Sequence, residues 1–256
     1  MNSTLDLYSK LLKSHSFSYS DIEKIIGDKK KVDNALYKLK KTGLIVSVKK
    51  NLYSALSLSD KTPVADKFEI ASKITPTSFV SHHSAFEFYG IANQVFYEMH
   101  VSSDSKFNDF SFDGIEYKFI QNKYDFGVTE IKHVKVTDME RTVLDSIKDF
   151  EKKSGLEEVL QCISLVKYLD EKKLTTYLEK YVNNFLCQKT GFILSNFSDL
   201  QFSDDFFAYC KNAAGASVRY LCHKDEVKSF IFDKEWNLCI PSDLSKILNQ
   251  GEYADV

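Results

Sequence analysis

The side chains best suited to phosphates and base edges crowd into one short stretch. Lys29, Lys30, Lys31, Asn34, Tyr37, Lys38 and Lys41 lie between Asp28 and Gly43, and Lys49, Lys50 and Asn51 follow closely. Lysine ammonium groups bind backbone phosphate, which positions a protein on a duplex without reading its sequence. Asparagine can bond adenine through two hydrogen bonds, and a tyrosine hydroxyl can reach a base edge or a phosphate. Arginine, the commonest reader of guanine, is absent from this part of the chain. Modest intrinsic specificity and a steep salt dependence are the expected result.

Other residues also invite a chemical reading. The adjacent pair His82-His83 has ligand chemistry, but neighbouring residues on a helix diverge by about 100°, so one shared ion is not expected. Glu116-Tyr117-Lys118, preceded by Asp104 and Asp109, has the composition of a metal-dependent nuclease centre. Strand alternation places Ile115, Tyr117 and Phe119 on one face, which leaves Glu116 and Lys118 as solvent-side residues. Cys162, Cys187, Cys210, Cys222 and Cys239 form no C-x-x-C pair and read as reduced, mostly buried thiols. No catalytic residue, metal ligand or cofactor is therefore assigned. A nuclease, and a transcription factor that senses a small ligand, stand as the alternatives to a nucleic-acid-binding module.

The elements that must position the basic residues are legible. Val32, Ala35, Leu36 and Leu39 recur at helical spacing, predicting a helix capped by Asp28 and stopped at Gly43. Leu5, Tyr8, Leu11 and Leu12 predict an earlier helix over 4–14. Ser20-Asp21-Ile22-Glu23 reads as a capping box that opens a short helix over 21–26, ended by Gly27. Leu44–Val48 and Leu52–Ala55 read as strands joined through a Lys49-Lys50-Asn51 tip. This order is that of a winged helix-turn-helix, with the last helix in the major groove and the tip on adjacent backbone or minor groove. One such head buries a small interface, so a second copy on a DNA repeat is expected.

Residues 57–63 are polar, end in proline and read as a linker. Beyond it, helices are expected over 64–73 and 81–90, the second capped by Ser81 and stopped at Gly90. Strands are expected over 95–102, 110–112, 115–121 and 128–136, with Asp113-Gly114 as a hairpin turn. Thr137-Asp138-Met139-Glu140 reads as another capping box, opening a helix in which Arg141 can pair with Asp145 and tie the helix to the sheet. Helices over 156–168, 171–185, 192–197 and 204–213 follow, then short strands over 217–221, 227–231 and 237–240. Trp236, Cys239 and Pro241 are expected to pack the end, with the tail after Gln250 frayed.

Charge divides the chain as the elements do. Residues 1–58 carry 11 lysines against 5 acidic residues, a net of +6, and the remainder 23 basic against 31 acidic residues, a net of −8. A basic head on an acidic body confines phosphate contact to the head. Neither an apolar run of membrane-spanning length nor a signal-peptide pattern at Met1–Leu12 is present, which predicts a cytoplasmic protein. The fold class expected is α+β: a winged helix-turn-helix over 1–58, then a larger mixed α/β domain over 59–256 with a mainly helical end and a possible subdivision near 150.

Phe79-Val80-Ser81-His82-His83-Ser84-Ala85-Phe86-Glu87-Phe88-Tyr89-Gly90-Ile91, then Gln94, and Val136-Thr137-Asp138-Met139-Glu140-Arg141-Thr142-Val143-Leu144-Asp145 resemble the AbiEi family. Its members are antitoxins and transcriptional regulators of abortive-infection (type IV) toxin–antitoxin operons, and the resemblance covers about residues 5–150. It implies a winged helix-turn-helix head that represses its own promoter by binding repeats in double-stranded DNA. It also implies opposition to a cognate nucleotidyltransferase-like toxin without a stable complex. A monomer in solution that binds DNA cooperatively is compatible with the repeat expected above. The shared body segments carry no catalytic residue across.

Overall fold

The computed structural model describes residues 4–249. Among them it shows a mixed α+β chain with eleven α-helices and three sheets. The expected frayed tail after Gln250 lies outside the described residues. No helix among the described residues is long and apolar enough to cross a membrane. The chain divides into two compact units, Met1–Val80 with Tyr97–Lys123 and Glu130–Val136, and Ser81–Phe96 with Tyr124–Thr129 and Thr137–Val256. This division does not follow the boundary expected at residue 58.

The chain begins α1 (Thr4–Leu12), β1 (Ser16–Ser18), α2 (Tyr19–Ile26), α3 (Lys29–Lys41), β2 (Ile45–Lys49) and β3 (Leu52–Ala55). The strands form an antiparallel sheet in the order β1-β3-β2. The short strand β1 was not expected; it pairs Phe17 with Tyr53 and buries both rings. The apolar stripe of α3, through Val32, Leu36 and Leu39, is buried with Tyr8, Leu11, Phe17 and Ile22. Helix α2 starts two residues earlier than expected. Ser18, not Ser20, accepts from the Asp21 N–H at 3.2 Å, and Asp21 Oδ2 accepts from the Ser18 N–H at 2.9 Å. Both serines suit a capping box in sequence, and the pairing of β1 sets the earlier start.

Residues 57–63 do not form a free linker. Ser57 N–H donates to the Thr62 carbonyl at 2.9 Å, Leu56 bridges Pro63, and Val64 N–H returns to the Ala55 carbonyl at 2.9 Å. Backbone pairing on both sides makes this segment an ordered turn of the first unit.

Next come α4 (Lys67–Ala71), β4 (Phe79–Val80), α5 (His83–Phe88), β5 (Glu98–Ser103), β6 (Phe110–Phe112), β7 (Ile115–Gln121), β8 (Val128–Ile131) and β9 (Val134–Thr137). The strands make a six-stranded sheet in the order β6-β7-β5-β4-β9-β8, with β5 parallel to β7 and β4 parallel to β9. Asp113 and Gly114, both at positive φ, make the expected tight turn between β6 and β7. The single strand expected over 128–136 is two strands, joined by a turn at Lys132-His133.

The remaining elements are α6 (Met139–Asp149), α7 (Leu156–Ser164), α8 (Glu171–Tyr181), α9 (Asn184–Leu194), α10 (Asp204–Ala214), β10 (Arg219–Tyr220), β11 (Phe230–Asp233), β12 (Leu238–Pro241) and α11 (Leu244–Asn249). The helix expected over 171–185 stops at Tyr181. Val182 turns left-handed at φ 49°, and the Asn183 side chain caps a new helix by accepting from Leu186 N–H. That helix, α9, is buried throughout from Leu186 to Leu194. At its middle Gly191 makes room for the Trp236 ring and for Cys210.

Helix α6 is capped by Asp138, which accepts from Arg141 N–H at 2.9 Å; it is not opened by a Thr137/Glu140 box. Glu140 instead takes the Lys173 ammonium at 2.9 Å. Arg141 pairs with Asp145 at 3.2 Å as expected, and its Nη1 donates to the Tyr124 and Phe126 carbonyls, so it anchors that loop to α6. The two segments that carry the family resemblance meet here. Tyr89 hydroxyl donates to the Thr137 carbonyl at 2.9 Å, and the Thr137 and Thr142 hydroxyls are 2.7 Å apart.

Candidate nucleic-acid interface

Helix α3 keeps its apolar stripe inward, so its polar face is turned out. Lys29, Lys30, Lys31, Asn34, Tyr37, Lys38 and Lys41 are all exposed, and so are Lys50 and Asn51 at the β2–β3 tip. Lys30, Asn34, Tyr37, Lys38 and Lys41 fall at i, i+4, i+7, i+8 and i+11, which is one face of a helix. Asp28 caps the helix by accepting from Lys31 N–H at 3.0 Å. Lys38, Lys40 and Lys41 sit in the last turn, where positive charge is favoured by the helix dipole. Tyr37 is 65% exposed with the Lys41 ammonium 5.8 Å from its ring centroid, so a large aromatic stands in solvent beside cations.

The helix is held at a fixed angle to its neighbours by polar contacts. Tyr19 hydroxyl donates to Asp33 Oδ1 at 3.1 Å, joining α2 to α3 and occupying the one carboxylate within α3. Burial and the neighbouring Asp33 carboxylate raise the pKa of Tyr19 and keep it a donor. Tyr19 N–H also donates to the Asn51 carbonyl at 3.0 Å, which ties the start of α2 to the hairpin tip. Asn51 itself adopts φ 65°, a conformation its short polar side chain tolerates.

One predicted contact is placed differently. Lys49 is half-buried and lies over the Phe107 and Phe110 rings, and burial lowers its pKa. It cannot serve as a free phosphate clamp while it holds that position. Lys40, which sequence reasoning passed over, is exposed and lies 4.8 Å from the Tyr53 ring centroid. Its position in the last turn of a lysine-rich helix was the available signal.

The other constellations resolve as well. Lys118 pairs with Glu116 on β7 and lies 3.7 Å from Asp109. Asp109 Oδ1 accepts from Phe119 N–H at 2.8 Å, while Asp104 turns to the Asn122 amide at 2.7 Å. The acidic groups are thus occupied by amides and a lysine and do not converge as metal ligands. His82 and His83 diverge, though not on a shared helix: α5 begins at His83, and His82 precedes it at φ 55°. His82 meets Ser81 Oγ at 2.9 Å and Asp149 at 3.3 Å, so Ser81 does not cap α5.

His83, Glu158 and Cys162 do converge, with candidate ligand atoms within 4.8 Å of one another and all three residues buried. Their geometry is that of a hydrogen-bonded core. His83 Nε2 donates to Glu158 Oε1 at 2.9 Å, Cys162 Sγ at 3.4 Å, and Gln94 N–H at 3.2 Å reach the same oxygen. Burial, reinforced by the Glu158 charge, pushes the Cys162 thiol up to about 12. A metal would have to displace that proton, since only thiolate is a ligand. The sequence could not show this trio, because 75 positions separate His83 from Glu158.

No family model matches the chain, and no curated protein matches it. Among solved structures it is similar to the crystal structure of the RV2827C protein from Mycobacterium tuberculosis. The TM-score is 0.64 at 10% sequence identity, over 95% of this chain and 92% of that one. The similarity is one of fold.

Proposed function

We propose that the chain is a DNA-binding transcriptional autorepressor whose first 58 residues act as a winged helix-turn-helix. The observation that carries this reading is the outward face of α3. It presents Lys30, Asn34, Tyr37, Lys38 and Lys41 together, beside a hairpin tip bearing Lys50 and Asn51. The helix order, the β1-β3-β2 sheet and the +6 charge of residues 1–58 support it. Asn34 and Tyr37 are the base readers and the lysines the phosphate clamps. Following the resemblance to AbiEi-type proteins, residues 59–256 act as the antitoxin part, opposing a nucleotidyltransferase-like toxin in phage defence without a stable complex. The protein works in the cytoplasm, and repeats in the promoter bring copies together on DNA.

A gel shift on the chain's own promoter region tests the first half. Wild type should bind, and a variant carrying Lys30→Glu, Lys41→Glu and Lys50→Glu should lose binding with an unchanged thermal melt. Retained affinity in that variant would overturn this DNA face. For the second half, co-expression with the neighbouring toxin should restore growth with the full chain but not with residues 1–60. Rescue by that fragment would refute the division of labour.

A further inference from the structure

A cleft of about 630 Å³ opens in the first unit beside the hairpin tip. Lys50, Asn51, α2 and the turn after α1 form part of its wall. The rest comes from outside the first 58 residues, including Lys73, Pro76, Glu130, His133 and Lys135. Five lysines line it against three acidic residues. The acids are engaged locally. Asp21 accepts from Ser18 N–H at 2.9 Å, Glu69 accepts from Asp66 N–H at 3.0 Å and meets His15 at 2.7 Å, and Glu130 faces His133 at 3.8 Å. Lys73 is likewise engaged, donating to the Ser14 and Ser16 carbonyls at 3.1 and 2.8 Å. Lys13 and Lys50 are exposed, and so is Lys24, whose ammonium lies 3.6 Å from Asp21. Lys135 is held at the rim by donating to the Pro76 carbonyl at 2.8 Å, which leaves two ammonium hydrogens for a ligand.

The second observation is backbone strain at the same rim. Lys132 and His133 form the two-residue turn between β8 and β9 with φ 48° and 68°, both left-handed. Such turns favour Asn-Gly, because other L residues are strained there. Both side chains are exposed, so no packing offsets the strain. The strain is what closing β8 onto β9 through a two-residue turn requires. Here it holds two cation-capable side chains at the tip of a hairpin, with His133 facing the cleft.

We propose that this cleft and the Lys132-His133 tip grip a second stretch of phosphate backbone in duplex DNA, outside the segment held by α3. Lys13, Lys24 and Lys50 contact it from one wall, Lys135 and His133 from the other, with Lys132 at the tip. The inference rests on the DNA-binding reading and extends it: the footprint continues past the α3 face, across Lys13 and Lys24 of the first 58 residues, onto Lys132, His133 and Lys135, which no head-only fragment contains.

The experiment uses the full chain and two duplexes, one limited to the head's site and one longer by about one helical turn, roughly 10 base pairs. Fluorescence anisotropy is followed across a salt titration. Replacing the turn by Lys132→Asn with His133→Gly should raise the melting temperature, because it relieves the left-handed strain. It should also weaken binding to the long duplex by about 3–10-fold and flatten its salt slope by about 1, the value of one phosphate contact. A second variant, Lys13→Glu with Lys135→Glu, should weaken the long duplex at least 10-fold and leave the short one unchanged. Wild-type affinity of both variants on both duplexes overturns the proposal; if Lys30→Glu/Lys41→Glu still loses binding, the DNA reading itself stands. Equal loss on the two duplexes overturns the placement beyond the head. Failure of wild type to bind either duplex removes both readings.

Discussion

Lys49 holds its ammonium 4.8 Å from the centroid of the Phe107 ring and 5.0 Å from that of Phe110. Two neighbouring lysines at one hairpin therefore have different tasks. Lys49 fastens the hairpin to the start of β6 and the segment before it, and Lys50 projects into solvent. Lys49→Ala should destabilise the protein by about 1–2 kcal/mol, the range of a partly desolvated cation–π contact. Lys50→Ala should leave the melt unchanged and reduce the salt slope of DNA binding by about 1. Thermal melts and salt-titrated anisotropy on the pair of variants check this; identical behaviour of the two would refute it.

Legibility in the sequence followed the range over which the determining contact acts. The stripe of Val32, Leu36 and Leu39 and the Asp28 cap are local, and α3 forms as their spacing requires. Asp113-Gly114 is local too, and the turn forms there. Ser18 and Ser20 satisfy the same capping pattern, and only the pairing of β1 with β3, some 36 residues apart at Phe17 and Tyr53, chooses between them. Lys132-His133 carries no turn signature, so the hairpin at the cleft was hidden inside an apparent single strand. The partners of Lys49 and His83 arrive from distant segments, and no spacing rule reaches them.

Arg141 lies among buried groups that depend on one another. It donates to Asp145 Oδ2, while Tyr181 hydroxyl donates to Asp145 Oδ1 at 2.6 Å. Arg141→Met strands the Asp145 carboxylate in a site 3% exposed, which should cost about 3–5 kcal/mol. Tyr181→Phe removes one donor to that carboxylate and should cost about 1–3 kcal/mol. Because both act on Asp145, the double variant should lose less or more than the sum, a deviation of at least about 0.5 kcal/mol in urea melts. Strict additivity would show that the groups do not form one network.

Gly191 sits where helix α9 meets the Trp236 ring. A Cβ there would lie 2.3 Å from two atoms of the indole and 2.7 Å from Cys210 Cβ, closer than real contacts allow. The ring is 5% exposed and cannot swing freely into solvent. Gly191→Ala should therefore destabilise by about 1–3 kcal/mol through overpacking, despite the better helix propensity of alanine, and shift Trp236 fluorescence. A melt at or above wild type would mean that Trp236 does not occupy this contact.

Asp149 gives the fold a pH dependence with a definite sign. Burial alone would raise its pKa, but the hydrogen bond from His82 Nε2 at 3.3 Å and the adjacent Lys148 ammonium outweigh burial and hold it well below the usual carboxylate range. A folded-state pKa below the unfolded value of about 3.9 stabilises the protein once pH exceeds that unfolded value. The contribution disappears as pH falls through the folded value. Asp149→Asn should thus cost about 1–3 kcal/mol near pH 7, where charged hydrogen bonds are lost. The gap to wild type should stay constant down to about pH 5 and close progressively below about pH 4. Urea titrations across that range read the gap directly, and a gap that persists unchanged to about pH 2 would show that the charge of Asp149 contributes nothing.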